Sequence, residues 1–189
     1  MQRAHSTCPC ALRTFMFTMM KSIKLTGRLR AIAGYIRDGA SVADIGTDHG
    51  LLPVYLAQTG LARYIIASDI SADSLESARI SAAKYGVSDM IVFINAPGLD
   101  CISAANETGA AMVDTIVIAG MGGETIAGIL NESSRTIKPG IRLILQPQSK
   151  TDTLCRFLYN NGYVIGSTKI ALDKGRRYTV ILCEDSNNA

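Results

Sequence analysis

Five short apolar runs, each rich in β-branched residues and separated from the next by a helical pattern, leave this chain few ways to fold. The runs are Ser41–Gly46, Tyr64–Ile70, Met90–Asn95, Thr115–Ala119 and Arg142–Gln146. They are continuous rather than alternating. A strand with one solvated face alternates polar and apolar residues, whereas an unbroken run needs cover on both faces, as in a parallel sheet flanked by helices. At 189 residues the chain can bury such a sheet within one domain. Its 48% hydrophobic and 19% charged content excludes a disordered chain. No apolar run approaches the roughly 18 residues that a membrane span needs, so no membrane partner is expected.

The punctuation between the runs has physical causes. Thr26 predicts a helix cap, with the helix running through Tyr35 and Leu29, Ile32, Ala33 and Ile36 on one face. Asp38-Gly39 then makes a turn. Pro53 suits the first turn of a helix that follows the loop Thr47–Gly50. Ser71 caps a helix over Ala72–Tyr85, which Gly86 closes. Ser149 and Asp152 predict a capping box opening a helix over Lys150–Asn160, with Gly162 after it. Lys138-Pro139-Gly140 is a turn before the fifth run. Beyond Gly162 two strands, Tyr163–Leu172 and Arg177–Glu184, are joined by the turn Asp173–Arg176. The expected fold is therefore α/β, with a seven-stranded, mostly parallel sheet ending in an antiparallel hairpin.

Residues 1–19 show neither helical nor strand period. They are expected to form a disordered extension to a domain over residues 20–189, a signal peptide being the alternative. The five cysteines, Cys8, Cys10, Cys101, Cys155 and Cys183, include no C-x-x-C pair. Reduced thiols in a cytoplasmic protein are expected, without a metal site. The formal charge of +3 permits a nucleic-acid partner without arguing for one.

The first run ends in Asp44-Ile45-Gly46-Thr47-Asp48-His49-Gly50. A strand that ends in Asp-x-Gly and passes through a tight loop into a helix lets backbone approach a ligand beyond the carboxyl end of the sheet. A plain βα turn with structural glycines accounts for the same residues. The second run places Asp69 25 positions after Asp44, followed by Ile70. An acid near that offset can accept hydrogen bonds from ribose hydroxyls, although it can also simply open the turn into the helix capped by Ser71. Asp48 stands where a dinucleotide-binding loop has its second glycine. A carboxylate there repels a pyrophosphate, with no basic residue in the loop to offset it. S-adenosylmethionine carries a sulfonium and an ammonium instead of phosphate, so the acidic loop favours that cofactor over NAD.

Two further segments carry potential chemistry. The fourth run leads into Gly120-Met121-Gly122-Gly123, which suggests close backbone approach to cofactor or substrate. The fifth ends in Gln146-Pro147-Gln148, whose amides could hydrogen-bond a base. Glycines that make turns and a proline that stops a strand are the simpler account of both. His49 lies inside the loop but has no second ligand at a suitable spacing for a metal.

Together Asp44–Pro53, Ile116–Gly123 (IVIAGMGG) and Leu143–Pro147 (LILQP) resemble the bacterial tRNA adenine-22 N1-methyltransferase family, from about Lys24 to Glu184. The resemblance implies a Rossmann-like class I methyltransferase fold and a cytoplasmic enzyme that methylates N1 of an adenine in the D-arm region of tRNA. It implies that Asp44, Gly46, Thr47 and His49 line the methionine end of the cofactor. Asp69 and Ile70 would take the ribose, with Gly120 and Met121 beside the cofactor and Gln146 and Pro147 toward the target base. Asp48 is the expected stabiliser of the cationic product.

The chain departs from the family in two places. Pro97 occupies a position where members carry a polar residue toward the cofactor's adenine, and proline offers no backbone N–H. Adenine recognition is then expected to shift to Asn95 or Asp100, or to weaken, with Gly98 among the expected cofactor contacts. Members also continue into a helical C-terminal domain, whereas this sequence stops at Ala189. Arg28, Arg30, Lys150, Lys174, Arg176 and Arg177 are then the cations available to RNA phosphates, or ordinary surface charges. A methyltransferase acting on a small molecule or protein, and a non-catalytic module that binds S-adenosylmethionine or RNA, are the alternatives.

Overall fold

A computed structural model describes residues 21–107, 112–133 and 136–184, so the expected extension over residues 1–19 lies outside the described residues. In chain order the elements are α1 (Gly27–Ala33), β1 (Ala40–Ile45), α2 (Leu51–Thr59), β2 (Ala62–Asp69), α3 (Ala72–Lys84), β3 (Val92–Asn95) and α4 (Asp100–Glu107). They continue with β4 (Thr115–Gly122), α5 (Gly123–Glu132), β5 (Arg142–Ser149), α6 (Thr151–Asn160), β6 (Val164–Asp173) and β7 (Arg176–Glu184). The seven strands form one sheet in the order β3-β2-β1-β4-β5-β7-β6. β1 to β5 run parallel, and β7 enters antiparallel between β5 and β6.

The unbroken apolar runs are explained by the two cores on either face. Val42, Ile65, Ala67, Val117, Ile144 and Val180 point into one, with Ile32, Leu52, Leu56 and Ala82 from α1, α2 and α3. Their immediate neighbours Ala43, Ile66, Ile116, Ile118, Leu145 and Ile181 point into the other, with Leu99, Ile126, Leu130 and Leu154 from the opposite layer. Successive strand residues face opposite sides, so a strand buried on both faces has no polar alternation left to show.

Thr26 and Ser71 cap their helices as expected, accepting from the backbone N–H groups of Leu29 and Ser74. Helix α1 nevertheless stops at Ala33, because Tyr35 and Ile36 donate to Ile32 and Ala33 in tighter three-residue turns. The expected capping box at Ser149 does not form. Ser149 is the last residue of β5, and Lys150, at φ 55°, turns the chain into α6 without a side-chain cap. β4 and β5 both outlast their apolar runs, since Met121 pairs with Pro147 and Gly122 with Ser149 after a register shift. The hairpin turn consists of Lys174 and Gly175, both at positive φ (47° and 76°), the geometry that matches the twist of a two-residue hairpin.

Helix α1 seats directly on this hairpin. A Cβ on Gly27 would lie 2.1 Å from the backbone oxygen of Leu172. Gly27→Ala must therefore push α1 off β6, at a cost of about 1–3 kcal/mol. Thermal unfolding should show a melting temperature lowered by at least about 3 °C. An unchanged value would mean that α1 is not fixed to the hairpin.

Candidate functional site

The sheet order reverses direction between β1 and β4, so the loops after these strands diverge and leave a crevice beyond their carboxyl ends. A cleft of about 810 Å³ opens there. Its floor is the β1–α2 loop. Gly46 and Thr47 both donate backbone N–H groups to the Ser68 carbonyl, at 2.8 and 2.9 Å, which ties the loop to β2. Gly46 has φ 68°, and a Cβ on it would fall 2.1 Å from Met121 Cε. The left-handed backbone favours glycine, and any larger residue would also have to displace the Met121 tip.

Asp44, at the end of β1, is buried and accepts a 2.8 Å hydrogen bond from the Thr47 hydroxyl. Burial pushes its carboxyl up to about 6, opposed by the Thr47 hydrogen bond, with repulsion from Asp69 adding to the rise and Arg28 acting against it. Asp69, at the end of β2, accepts from the backbone N–H of Asp48 at 3.1 Å and from that of Ser71 at 2.9 Å. Each of its oxygens keeps a lone pair free for a ligand. Asp48 and His49 stand exposed at the mouth, with His49 Nε2 3.7 Å from Asp48 Oδ1.

Of the residues singled out in the sequence, the β1–α2 loop brings Asp44, Gly46, Thr47, Asp48 and His49 to the cleft. β2 brings Asp69 and Ile70, the β3–α4 loop Gly98, and β4 Gly120 and Met121. Three do not line it. Asn95 turns its amide back to the carbonyls of Asp69 and Ile70, at 2.8 and 3.1 Å, and so braces the loop. Gln146 is fully buried, its Oε1 accepting from Arg28 Nη1 at 2.8 Å and its Nε2 donating to the Pro147 carbonyl at 2.7 Å. Pro147 is buried with it.

Arg28 and Gln148 occupy the places at the cleft wall expected for Gln146 and Pro147. Of the two amides expected to face a base, that of Gln148 lines the cleft and that of Gln146 does not. Arg28 carried no local signal, because its position depends on α1 packing on β6 and β7. Pro97 and Asp100 both line the cleft beside Gly98, so an acid stands close to the proline. Thr125, Ile129 and Ser133 close the far wall from α5 and the residue after it. Among the described residues no group of His, Cys, Asp or Glu side chains could hold a metal ion.

A glycine loop and paired acids at the switch point of a 3-2-1-4-5-7-6 sheet define a Rossmann-like methyltransferase domain, and residues 25–181 match the family described as a methyltransferase domain. The chain is 34% identical over 165 residues to the tRNA (adenine(22)-N(1))-methyltransferase of Bacillus subtilis, covering 87% of this chain and 67% of that one. It is 35% identical over 140 residues to a putative tRNA methyltransferase of Mycoplasma pneumoniae, covering 73% of this chain and 60% of the relative. A putative tRNA (m1A22) methyltransferase of Streptococcus pneumoniae, solved in complex with S-adenosyl-L-methionine, superposes with a TM-score of 0.78. It is 31% identical, with 86% of this chain and 73% of that chain covered. The chain belongs to the tRNA (adenine(22)-N(1))-methyltransferase family, and it spans roughly two thirds of the length of these relatives.

The Asp44 environment has a measurable consequence for the ligand-free protein. A carboxyl raised from 3.8 to about 6 on folding is neutral in both states below pH 3.8, and its burial costs stability as pH rises through 6. Asp44→Asn removes that cost. Denaturant unfolding from pH 4 to 8 should show the variant gaining on the wild type, by up to about 3 kcal/mol at pH 8. A constant difference across this range would mean that Asp44 is not raised.

Proposed function

We propose that this chain transfers the methyl group of S-adenosylmethionine to N1 of adenine 22 of tRNA, in the cytoplasm. The observation that carries this reading is the buried, partner-poor carboxylate of Asp44 at the base of an acid-lined cleft, in a chain of this family.

The residues fit the cofactor. Asp44 has a hydroxyl donor from Thr47 and burial that penalises its charge, an arrangement completed by a cation such as the cofactor's α-ammonium group. Asp69 has free lone pairs for the ribose hydroxyls, and the backbone of Gly46 and Gly120 leaves room for close approach. Asp100, beside Pro97, supplies a side-chain acceptor for an adenine amino group where the proline has no polar side chain. His49 covers the methionine end from the mouth.

S-adenosylmethionine supplies an electrophilic methyl group on a sulfonium. Adenine N1 already holds a lone pair, so the chain's task is alignment rather than deprotonation before attack. The target base leaves its stack to enter the mouth between Gly120, Met121 and Gln148. Asp48, exposed at that mouth, stabilises the positive charge that methylation puts on the ring. Gln146 and Pro147 act from behind the wall. Gln146 holds the Arg28 guanidinium, which sets one side of the opening.

Labelled S-adenosylmethionine and unmodified bacterial tRNA test the reading. The expected product is N1-methyladenosine at position 22, absent when a guanine replaces that adenine. Cofactor binding without methylation of any tRNA would refute it. Calorimetry should show S-adenosylmethionine binding roughly 10- to 100-fold more weakly to Asp44→Asn, the loss expected for one charge-assisted hydrogen bond.

A further inference from the structure

The cleft is acidic, yet the edge of the sheet on which it opens carries a basic rim that the chemistry above leaves unused. We propose that the tip of the β6–β7 hairpin, together with Lys150 and Arg28, is the docking surface for the phosphate backbone of the RNA whose adenine enters the cleft. This rests on the tRNA reading above.

Topology puts the tip in place. β6 is antiparallel to β7 and β7 to β5, so β6 runs parallel to β5 and finishes at the same end of the sheet as the carboxyl ends of β1 and β4. Lys174, Arg176 and Arg177 are exposed there, and Lys150 is exposed where β5 gives way to α6. None of these four takes part in an ion pair among the described residues. Arg37, Arg63, Arg142 and Arg156 elsewhere on the chain each pair with a carboxylate.

Arg28 connects the tip to the cleft. Its guanidinium lies 5.7 Å from the centre of the Tyr178 ring on β7 and bonds to Gln146 on β5. On its other side it lines the cleft, with Nη1 3.0 Å from where a Cβ of Gly120 would stand. Cations therefore lead from the hairpin to the mouth. The turn is a two-residue one whose positive φ angles match the twist of its strands, so less order has to be gained on binding than in a longer loop.

Electrostatics separates the two halves of the substrate. Asp44, Asp48, Asp69 and Asp100 line the cleft and repel a phosphate, so the backbone stays outside while a neutral base can enter. The unpaired rim offsets that repulsion and neutralises phosphates at a fixed distance from the mouth. Leu172, exposed opposite Arg177, offers apolar contact to a sugar between two phosphates.

The test compares two pairs of substitutions of equal charge in the full chain. Arg176→Gln/Arg177→Gln alters the hairpin, and Lys84→Gln/Lys138→Gln alters exposed cations at the amino ends of the strands, away from the cleft, with thermal unfolding confirming that both fold. The hairpin pair should bind tRNA roughly tenfold more weakly at ~0.1 M salt, with a slope of log affinity against log salt reduced by about 1.8 for two lost phosphate contacts. Its affinity for S-adenosylmethionine should stay unchanged, and the control pair should bind tRNA like the wild type. Wild-type tRNA affinity in the hairpin pair, or equal losses in both pairs, overturns the proposal while leaving the tRNA reading intact. A wild-type chain that binds S-adenosylmethionine but no tRNA overturns both.

Discussion

A carboxylate buried at the carboxyl end of the central strand is the constraint around which this molecule is arranged. Asp44 has lost most of its water and receives one hydroxyl hydrogen bond in return, from Thr47. In the ligand-free state that balance is unfavourable, and the carboxyl responds by holding its proton to about pH 6. The cost is tolerable because the surrounding sheet is buried on both faces and well packed. It is useful because a cationic ligand can recover it. On the proposed reading, stability is given up at the place where the ligand binds.

The rest of the site follows from how the loop around Asp44 is held. Its backbone is pinned to the Ser68 carbonyl, the Asp69 carboxylate receives the Asp48 N–H, and Asn95 braces Asp69 and Ile70 from the next strand. Two neighbouring strands, β2 and β3, thus fix one loop, and Met121 from β4 fills the space that Gly46 leaves. The antiparallel β7 has a separate consequence. By entering between β5 and β6 it brings Tyr178 beneath Arg28 and carries the basic hairpin to the edge where the cleft opens. An acidic interior and a basic rim lie on one side of the sheet.

Most of the fold was legible because its signals are local. The continuous β-branched runs of β1, β2, β4 and β5 reported strands covered on both faces, whereas the run over β3 belongs to an edge strand that stays partly exposed. Thr26 and Ser71 announced their helices, and Lys174-Gly175 sat where a two-residue hairpin needs positive φ. The acids at the ends of β1 and β2 could be paired from their spacing alone. What failed depended on tertiary packing. Ser149 and Asp152 have the composition of a capping box, but β5 continues through Ser149 because Gly122 pairs with it. Gln146 looked like a base-reading amide, yet strand pairing buries it and Arg28 occupies its oxygen. Arg28 itself, far away in sequence, could be recognised as a cleft residue only once α1 was seen to rest on the hairpin. Asn95, an expected cofactor contact, instead bonds the carbonyls of Asp69 and Ile70.

The central claim is that Asp44 is kept buried for a cationic ligand. Carbon-13 NMR titration of the Asp44 carboxyl tests it most directly, in the free protein and when saturated with either S-adenosylmethionine or 5′-methylthioadenosine, which lacks the amino-acid portion. The account predicts titration near 6 in the free protein. It predicts a fall to below about 4 with S-adenosylmethionine, because a nearby cation favours the charged form, and little change with methylthioadenosine. A carboxyl that titrates at the same pH in all three states would contradict it.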